Sequence, residues 1–255
     1  MPVERVEVDA ILFDMDGTLI DSTPAVNATW REFAKEYNLD IDHVLRYSHG
    51  HRTVENLTRY IPTLRGEELD KEVVRFESRI LVIAEENRRR AQETGVDDGT
   101  IIAMPCAREL LAQINAGRDT HPERRNAWAI VTSATGAYAA KAYKAADVAD
   151  PPDSFVTSDL CSKGKPDPEP YLKGAELINV KDMSRCIVVE DAPPGVLSGK
   201  RAGAKVIGLK TTHEGQRMWD NGADWLVEDL SKVSASWEDG KLVLTIDTEE
   251  RPTTK

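Results

Sequence analysis

The sequence predicts an α/β protein: a doubly wound parallel sheet, interrupted early by an all-helical insertion and ending in a β-hairpin. Three observations predict it. An apolar run (Ala10, Ile11, Leu12, Phe13) ends in acids and glycine; residues from about 22 to 98 carry helical periodicity alone; and from about residue 100 short apolar strands alternate with helices. With 255 residues, 40% hydrophobic and 30% charged, the chain has enough apolar material for a large core.

Taken in order, Val6 to Phe13 alternates and then turns continuously apolar, as a strand buried on both faces does. From Ser22 the pattern becomes helical: Ser22 or Thr23 suits a cap, Pro24 suits the first turn, and Val26, Trp30, Phe33, Ala34 and Tyr37 share one face. Helical spacing returns over Val54 to Ile61 and from Glu67 to about Gln92, where Leu69, Val73, Phe76, Ile80, Ile83 and Ala84 form a stripe. Arg88, Arg89 and Arg90 then read as a solvated helix end, stopped by Gly95. Beyond it the expected order is helix 107–114, polar loop 117–126, strand 128–131, helix 137–146, a short strand near 155–156, helix 171–178, strand 186–189, helix 195–202 and strand 205–209. Ala235 to Trp237 and Lys241 to Ile246 flank Asp239-Gly240 as hairpin strands do.

Charge and cysteine usage narrow the function. The formal charge of −11 argues against nucleic acid or a membrane surface as partner, because like charges repel over about a Debye length. It leaves room for a small anionic substrate at a locally positive site. Cys106, Cys161 and Cys186 show neither a disulfide framework nor zinc spacing, and the N-terminus lacks a signal-like apolar stretch. A cytoplasmic protein with free thiols is the expectation.

Ligands of such sheets gather at the carboxyl ends of the strands. The first strand ends in Asp14-Met15-Asp16-Gly17-Thr18. A calcium loop would need glycine at its sixth position and an acid at its twelfth, which are Leu19 and Ala25 here. The strand from Trp128 ends in Thr132-Ser133-Ala134 before a helix, offering hydroxyls and amides, although such residues are also ordinary caps. Lys165 lies in the proline-rich loop Gly164-Lys165-Pro166-Asp167-Pro168. Glu190 and Asp191 follow directly on the apolar Ile187-Val188-Val189, where unpaired acids would be costly and a shared cation would relieve them.

This ordered set of D-x-D-G-T, a strand-terminal serine, a K-P loop and an E-D pair resembles the haloacid dehalogenase superfamily of phosphatases and phosphomutases, across nearly the whole chain. The resemblance implies a Rossmann-like core over 1–21 and 99–255 with a helical cap domain over 22–98. Ser48-His49-Gly50-His51-Arg52-Thr53, the stretch from Gly164 to Gly174, Val189 to Pro193 and the terminal hairpin are similar to the branch of glycerol-phosphate and 2-deoxyglucose-6-phosphate phosphatases.

The resemblance implies roles residue by residue. Asp14 is the expected nucleophile, forming an aspartyl-phosphate. Asp16 is the expected proton donor and acceptor, with its backbone carbonyl on Mg²⁺. Asp191 completes the metal ligands, with Glu190 behind it or as an alternative ligand. Ser133, the amide of Ala134 and Lys165 hold the phosphoryl oxygens, and His49, His51 and Arg52 face the substrate from the cap. The implied function is Mg²⁺-dependent hydrolysis of a small polyol or sugar phosphate. The sequence leaves the oligomeric state open, with a monomer favoured. A sugar phosphomutase and a non-catalytic metabolite-binding protein are the alternatives. The mutase reading is weakened because the cap histidine and second-phosphate arginine of those relatives align with Val26 and Thr53. The dehalogenase reading is weakened further by Asp16, the second acid.

Overall fold

A computed structural model describes residues 2–96, 99–117 and 127–251. The expected polar loop therefore falls outside the described residues over 118–126, as do residues 97–98 at the end of the expected cap. Six parallel strands form the central sheet in the order β6-β5-β2-β7-β8-β9: β2 (Ala10–Phe13), β5 (Trp128–Val131), β6 (Phe155–Val156), β7 (Cys186–Glu190), β8 (Lys205–Leu209) and β9 (Trp225–Val227). β2 lies between β5 and β7 and is buried at every residue, which is why its sequence is an unbroken apolar run. Its register sets Phe13 beside both Ile130 and Val189. The next residues, Asp14, Val131 and Glu190, therefore emerge level at one edge.

The helices between strands are α5 (Ala107–Asn115), α6 (Gly136–Ala146), α7 (Glu169–Leu177), α8 (Pro193–Arg201) and α9 (Gly215–Asp220). The insertion consists of α1 (Thr23–Tyr37), α2 (Ile41–Tyr47), α3 (Thr53–Tyr60) and α4 (Gly66–Thr94). Trp30 and Phe33 of α1 close on Phe76 of α4 with ring centroids 4.4 and 5.0 Å apart, so the apolar stripes read from the sequence do meet. α4 ends at Gly95 in the left-handed region, and Arg88 and Arg89 pair on its exposed surface with Glu85. Ser22 occupies the position before α1 without capping it; its hydroxyl is used elsewhere, as described below. The chain enters the insertion through β3 (Ile20–Asp21) and leaves it through β4 (Ile102–Ala103), which pair with each other antiparallel.

One expectation is corrected. Val6 to Phe13 is not a single strand: it divides at Asp9 into β1 (Val3–Val8) and β2. β1 pairs antiparallel with β11 (Lys241–Asp247), which also pairs with β10 (Val233–Glu238), so the terminal hairpin is part of a three-stranded sheet. Asp239 and Gly240 both have positive φ, as the Asp-Gly turn demands. This sheet packs on α5, with the Trp237 indole donating to the Ile114 carbonyl at 3.0 Å. All three cysteines are free, and no helix among the described residues is long and apolar enough to cross a membrane.

Candidate active site

Asp14 leaves β2 with its amide donating to the Val189 carbonyl at 3.0 Å, which fixes the backbone at the strand end. Lys165, 1% exposed, reaches the same point from the loop before α7. Its ammonium donates to Asp14 Oδ1 at 2.5 Å, Glu190 Oε1 at 2.7 Å and the Val131 carbonyl at 2.9 Å. Burial alone would lower the lysine's pKa, but Asp14 and then Glu190 outweigh it and hold the ammonium charged.

Glu190 is fully buried and has both oxygens engaged. Oε1 accepts from Lys165 and, at 2.8 Å, from the Tyr171 hydroxyl; Oε2 accepts the Ala192 amide at 3.0 Å. Gly195, in the first turn of α8, makes room, since a Cβ there would overlap that carboxylate. Asp191 accepts from the Thr18 hydroxyl at 3.3 Å and from Thr212. Gly17 must also be glycine: its φ is +85°, and a Cβ would run into the Asp191 carboxylate.

Carboxylate oxygens of Asp14, Glu190 and Asp191 lie within 4.8 Å of one another, all buried. Burial is the main reason that Asp14 is raised well above the ordinary carboxylate range and Asp191 to about 7. Among the described residues Lys165 is the one ammonium bonded to this cluster, so three acids share one positive charge. A divalent cation bound by hard carboxylate oxygens fits this donor set, because the excess of buried negative charge is what such an ion neutralises. The Asp16 carboxylate stands apart from the cluster. It accepts from the Ser22 hydroxyl at 2.6 Å and the Tyr138 hydroxyl at 2.9 Å, and burial raises its pKa.

Of these groups, Asp14 and Asp16 open into a cavity of about 90 Å³ between the strand ends and the insertion, whereas Lys165, Glu190 and Asp191 lie behind its wall. Asp14, Asp16, Ser133 and Ala134 line its floor, and His49, Gly50 and His51 face them. The Ser133 hydroxyl donates to the Gly50 carbonyl at 3.0 Å, and the Ala134 amide to Thr132 Oγ1 at 3.1 Å. Burial lowers the pKa of both histidines, and Arg59 adds to the effect on His51. Arg52 does not line the cavity. Its guanidinium bonds Glu55 and reaches the Cys161 and Ser162 carbonyls at 3.3 and 3.4 Å, so it ties the insertion to the core loop.

The sequence reading did not single out several residues that complete the site. Glu77, 5% exposed, accepts from Thr53 on its own side and from the amide and hydroxyl of Thr135 at the start of α6. Its position on the apolar stripe between Val73 and Ile80 was the available signal. Asn56 and Ser48 also line the cavity; Asn56 Oδ1 and Ser48 Oγ are buried without a hydrogen-bond partner among the described residues. Tyr138, Tyr171 and Thr212 carry no pattern that marks them before the sheet has assembled.

Comparison with known proteins agrees with this geometry. The family model described as haloacid dehalogenase-like hydrolase matches residues 8–203. A Saccharomyces cerevisiae protein named glycerol-1-phosphate phosphohydrolase 2 is 36% identical over 235 residues, covering 89% of this chain and 85% of that one. A second yeast protein, 2-deoxyglucose-6-phosphate phosphatase 1, is 32% identical, covering 89% of each. Among solved structures, a hydrolase from Pseudomonas syringae aligns with a TM-score of 0.67 at 26% identity, covering 86% of this chain and 93% of that one.

Proposed function

This chain belongs to the haloacid dehalogenase-like hydrolases, and on that premise we propose that it is a Mg²⁺-dependent phosphatase of small polyol or sugar phosphates. The observation that carries the reading is the Asp14 carboxylate, held at a strand end against a buried lysine and beside two further acids. Asp14 attacks phosphorus to give an aspartyl-phosphate, and the substrate's alkoxide leaves. Asp16, positioned by Ser22 and Tyr138 and favoured in its protonated form by burial, gives that alkoxide a proton and then takes one from the hydrolytic water. Lys165, Ser133 and the Ala134 amide hold the phosphoryl oxygens.

Asp14, Asp191 and the Asp16 backbone carbonyl would hold the ion, which when bound neutralises charge on the phosphate and on the acids. Glu190 serves Lys165 and is assigned behind the ion, because its two oxygens are already bonded. Residues 22–98 act as a cap over a core formed by 1–21 and 99–255, and Arg52 holds cap to core. The reading includes a cytoplasmic monomer, in keeping with three free thiols.

The alcohol half of the substrate is read by the insertion. Asn56 Oδ1 and Ser48 Oγ are buried in the cavity wall without partners among the described residues, a deficit of about 1–3 kcal/mol each that a hydroxylated ligand would relieve. Trp30, Phe76 and Ile80 supply an apolar wall for the carbon chain. Lys165, buried against Asp14, is committed to the reacting phosphoryl group, and no further Lys or Arg is among the described residues that line this cavity, which favours hydrolysis of a monophosphate over a mutase that must hold a second phosphate there.

The test is a panel of glycerol phosphates, 2-deoxyglucose 6-phosphate and hexose and polyol phosphates, assayed with Mg²⁺ and with EDTA. Release of inorganic phosphate that EDTA abolishes is expected. No release from any member would overturn the proposal, and an isomerised sugar phosphate as main product would put a mutase in its place.

A further inference from the structure

A second cavity, of about 290 Å³, shares His49 and His51 with the catalytic one. Three of its other lining residues bear on its chemistry: Arg59 from α3, Arg217 from α9 and His213 from the loop before α9. No Asp or Glu is among the described residues that line it. Elsewhere, arginines such as Arg75, Arg79 and Arg185 are paired with carboxylates. Arg59 and Arg217 pair with none among the described residues.

Further positive charge gathers at the rim. The Arg217 and Arg46 guanidinium carbons stand 5.5 and 5.9 Å from the centroid of the same Tyr47 ring, and Arg217 donates to the Arg46 carbonyl at 3.1 Å. Glu55, which stands 3.9 Å from His51, is taken by Arg52. In a chain of net charge −11, carboxylates were abundant, and yet none faces these cations. Unpaired cations that converge on one cavity repel each other and create a field that an anion would relieve.

We propose that this groove binds a small oxyanion, a phosphate or a carboxylate, distinct from the phosphoryl group undergoing hydrolysis. Arginine suits the task because its planar fork matches the oxygens of either group. A cavity of about 290 Å³ is at the small end for ligand sites, which suits a small anion. Arg59, His49 and His51 belong to the insertion and Arg217 and His213 to the core. An anion that both sides touch therefore favours the arrangement in which they are close. The anion has two sources: a second acidic group on the substrate itself, or a separate small metabolite.

Sulfate, which is not hydrolysed, is the probe. It is titrated into the metal-free protein while side-chain Nε signals of the arginines and the Ser133 amide are followed by NMR. The expected result is that Arg59 and Arg217 shift along one binding curve, separate from that of Ser133. Arg59→Gln and Arg217→Gln should each weaken that curve by about tenfold or more, as loss of a charged hydrogen bond does. Both variants should hydrolyse p-nitrophenyl phosphate at close to the parent rate. Kinetics separate the sources: loss of kcat/KM confined to bisphosphorylated substrates identifies the substrate's own second group. Loss of a sulfate effect on monophosphate hydrolysis identifies a separate anion. Signals that do not move, or a sulfate affinity unchanged in both variants, would overturn the proposal. The binding experiment needs no turnover, so it fails or succeeds independently of the phosphatase reading.

Discussion

The floor and the roof of the catalytic cavity are built on opposite plans. On the floor, the polar side chains around Asp14 are bonded to several partners: Lys165 to three acceptors, Glu190 to three donors and Asp16 to two hydroxyls. On the roof, Ser48 Oγ and Asn56 Oδ1 are buried with no hydrogen-bond partner among the described residues. A saturated floor is preorganised for one reaction, whereas an unsaturated roof is completed by whatever alcohol enters. The difference teaches that reaction and selectivity are carried by separate parts of the chain.

That separation can be broken from either side. The largest effect is expected on the floor: Asp14→Asn should lower kcat by about 10⁴-fold or more while the far-ultraviolet spectrum stays unchanged. Lys165→Met should destabilise the fold as well as remove activity, because Asp14 and Glu190 would remain buried without a counter-charge. About 3–5 kcal/mol in urea unfolding is the expected loss. Retention of parent stability would show that the carboxylates are neutral or hydrated and that the floor is looser than described.

On the roof the effects should be smaller and selective. Asn56→Ala should cost about 1–3 kcal/mol in kcat/KM for the best polyol phosphate and leave p-nitrophenyl phosphate hydrolysis nearly unchanged. Equal losses on both substrates would erase the distinction between floor and roof. The smallest effect concerns Glu77, which joins the two regions through Thr53 and Thr135. Burial raises its pKa, so the folded state binds this proton at a pH where the unfolded state has released it. Its contribution to stability therefore falls as pH rises from the ordinary glutamate range through the raised value. Glu77→Gln should gain stability relative to the parent across that window, as measured by urea midpoints at several pH values; the other raised carboxylates are common to both proteins.

The same contrast explains what could be read before the fold was known. The floor is visible because β2 and β7 are short parallel strands buried on both faces, and their ends are marked by an abrupt change from apolar residues to Asp14-Met15-Asp16-Gly17 and Glu190-Asp191. Their convergence follows from register, which places Phe13 beside Val189. The division at Asp9 was not visible, since β1 takes its partner from Lys241–Asp247 at the other end of the chain. Arg52 looked like a substrate contact because its sequence neighbours are polar and glycine-flanked. In the fold, its acceptors are Glu55 and the Cys161 and Ser162 carbonyls. Asn56 and Glu77 were legible only as polar residues on the buried faces of α3 and α4, and the partners that give them meaning belong to tertiary structure.

The central claim is that Asp14 itself carries the phosphoryl group. The most direct measurement is to quench the working enzyme and its substrate with borohydride, which reduces an acyl phosphate to an alcohol, and then to sequence the peptides by mass spectrometry. The account predicts homoserine at position 14, dependent on substrate and on the metal. Phosphate release with residue 14 intact, or reduction at another acid such as Asp191, would contradict it.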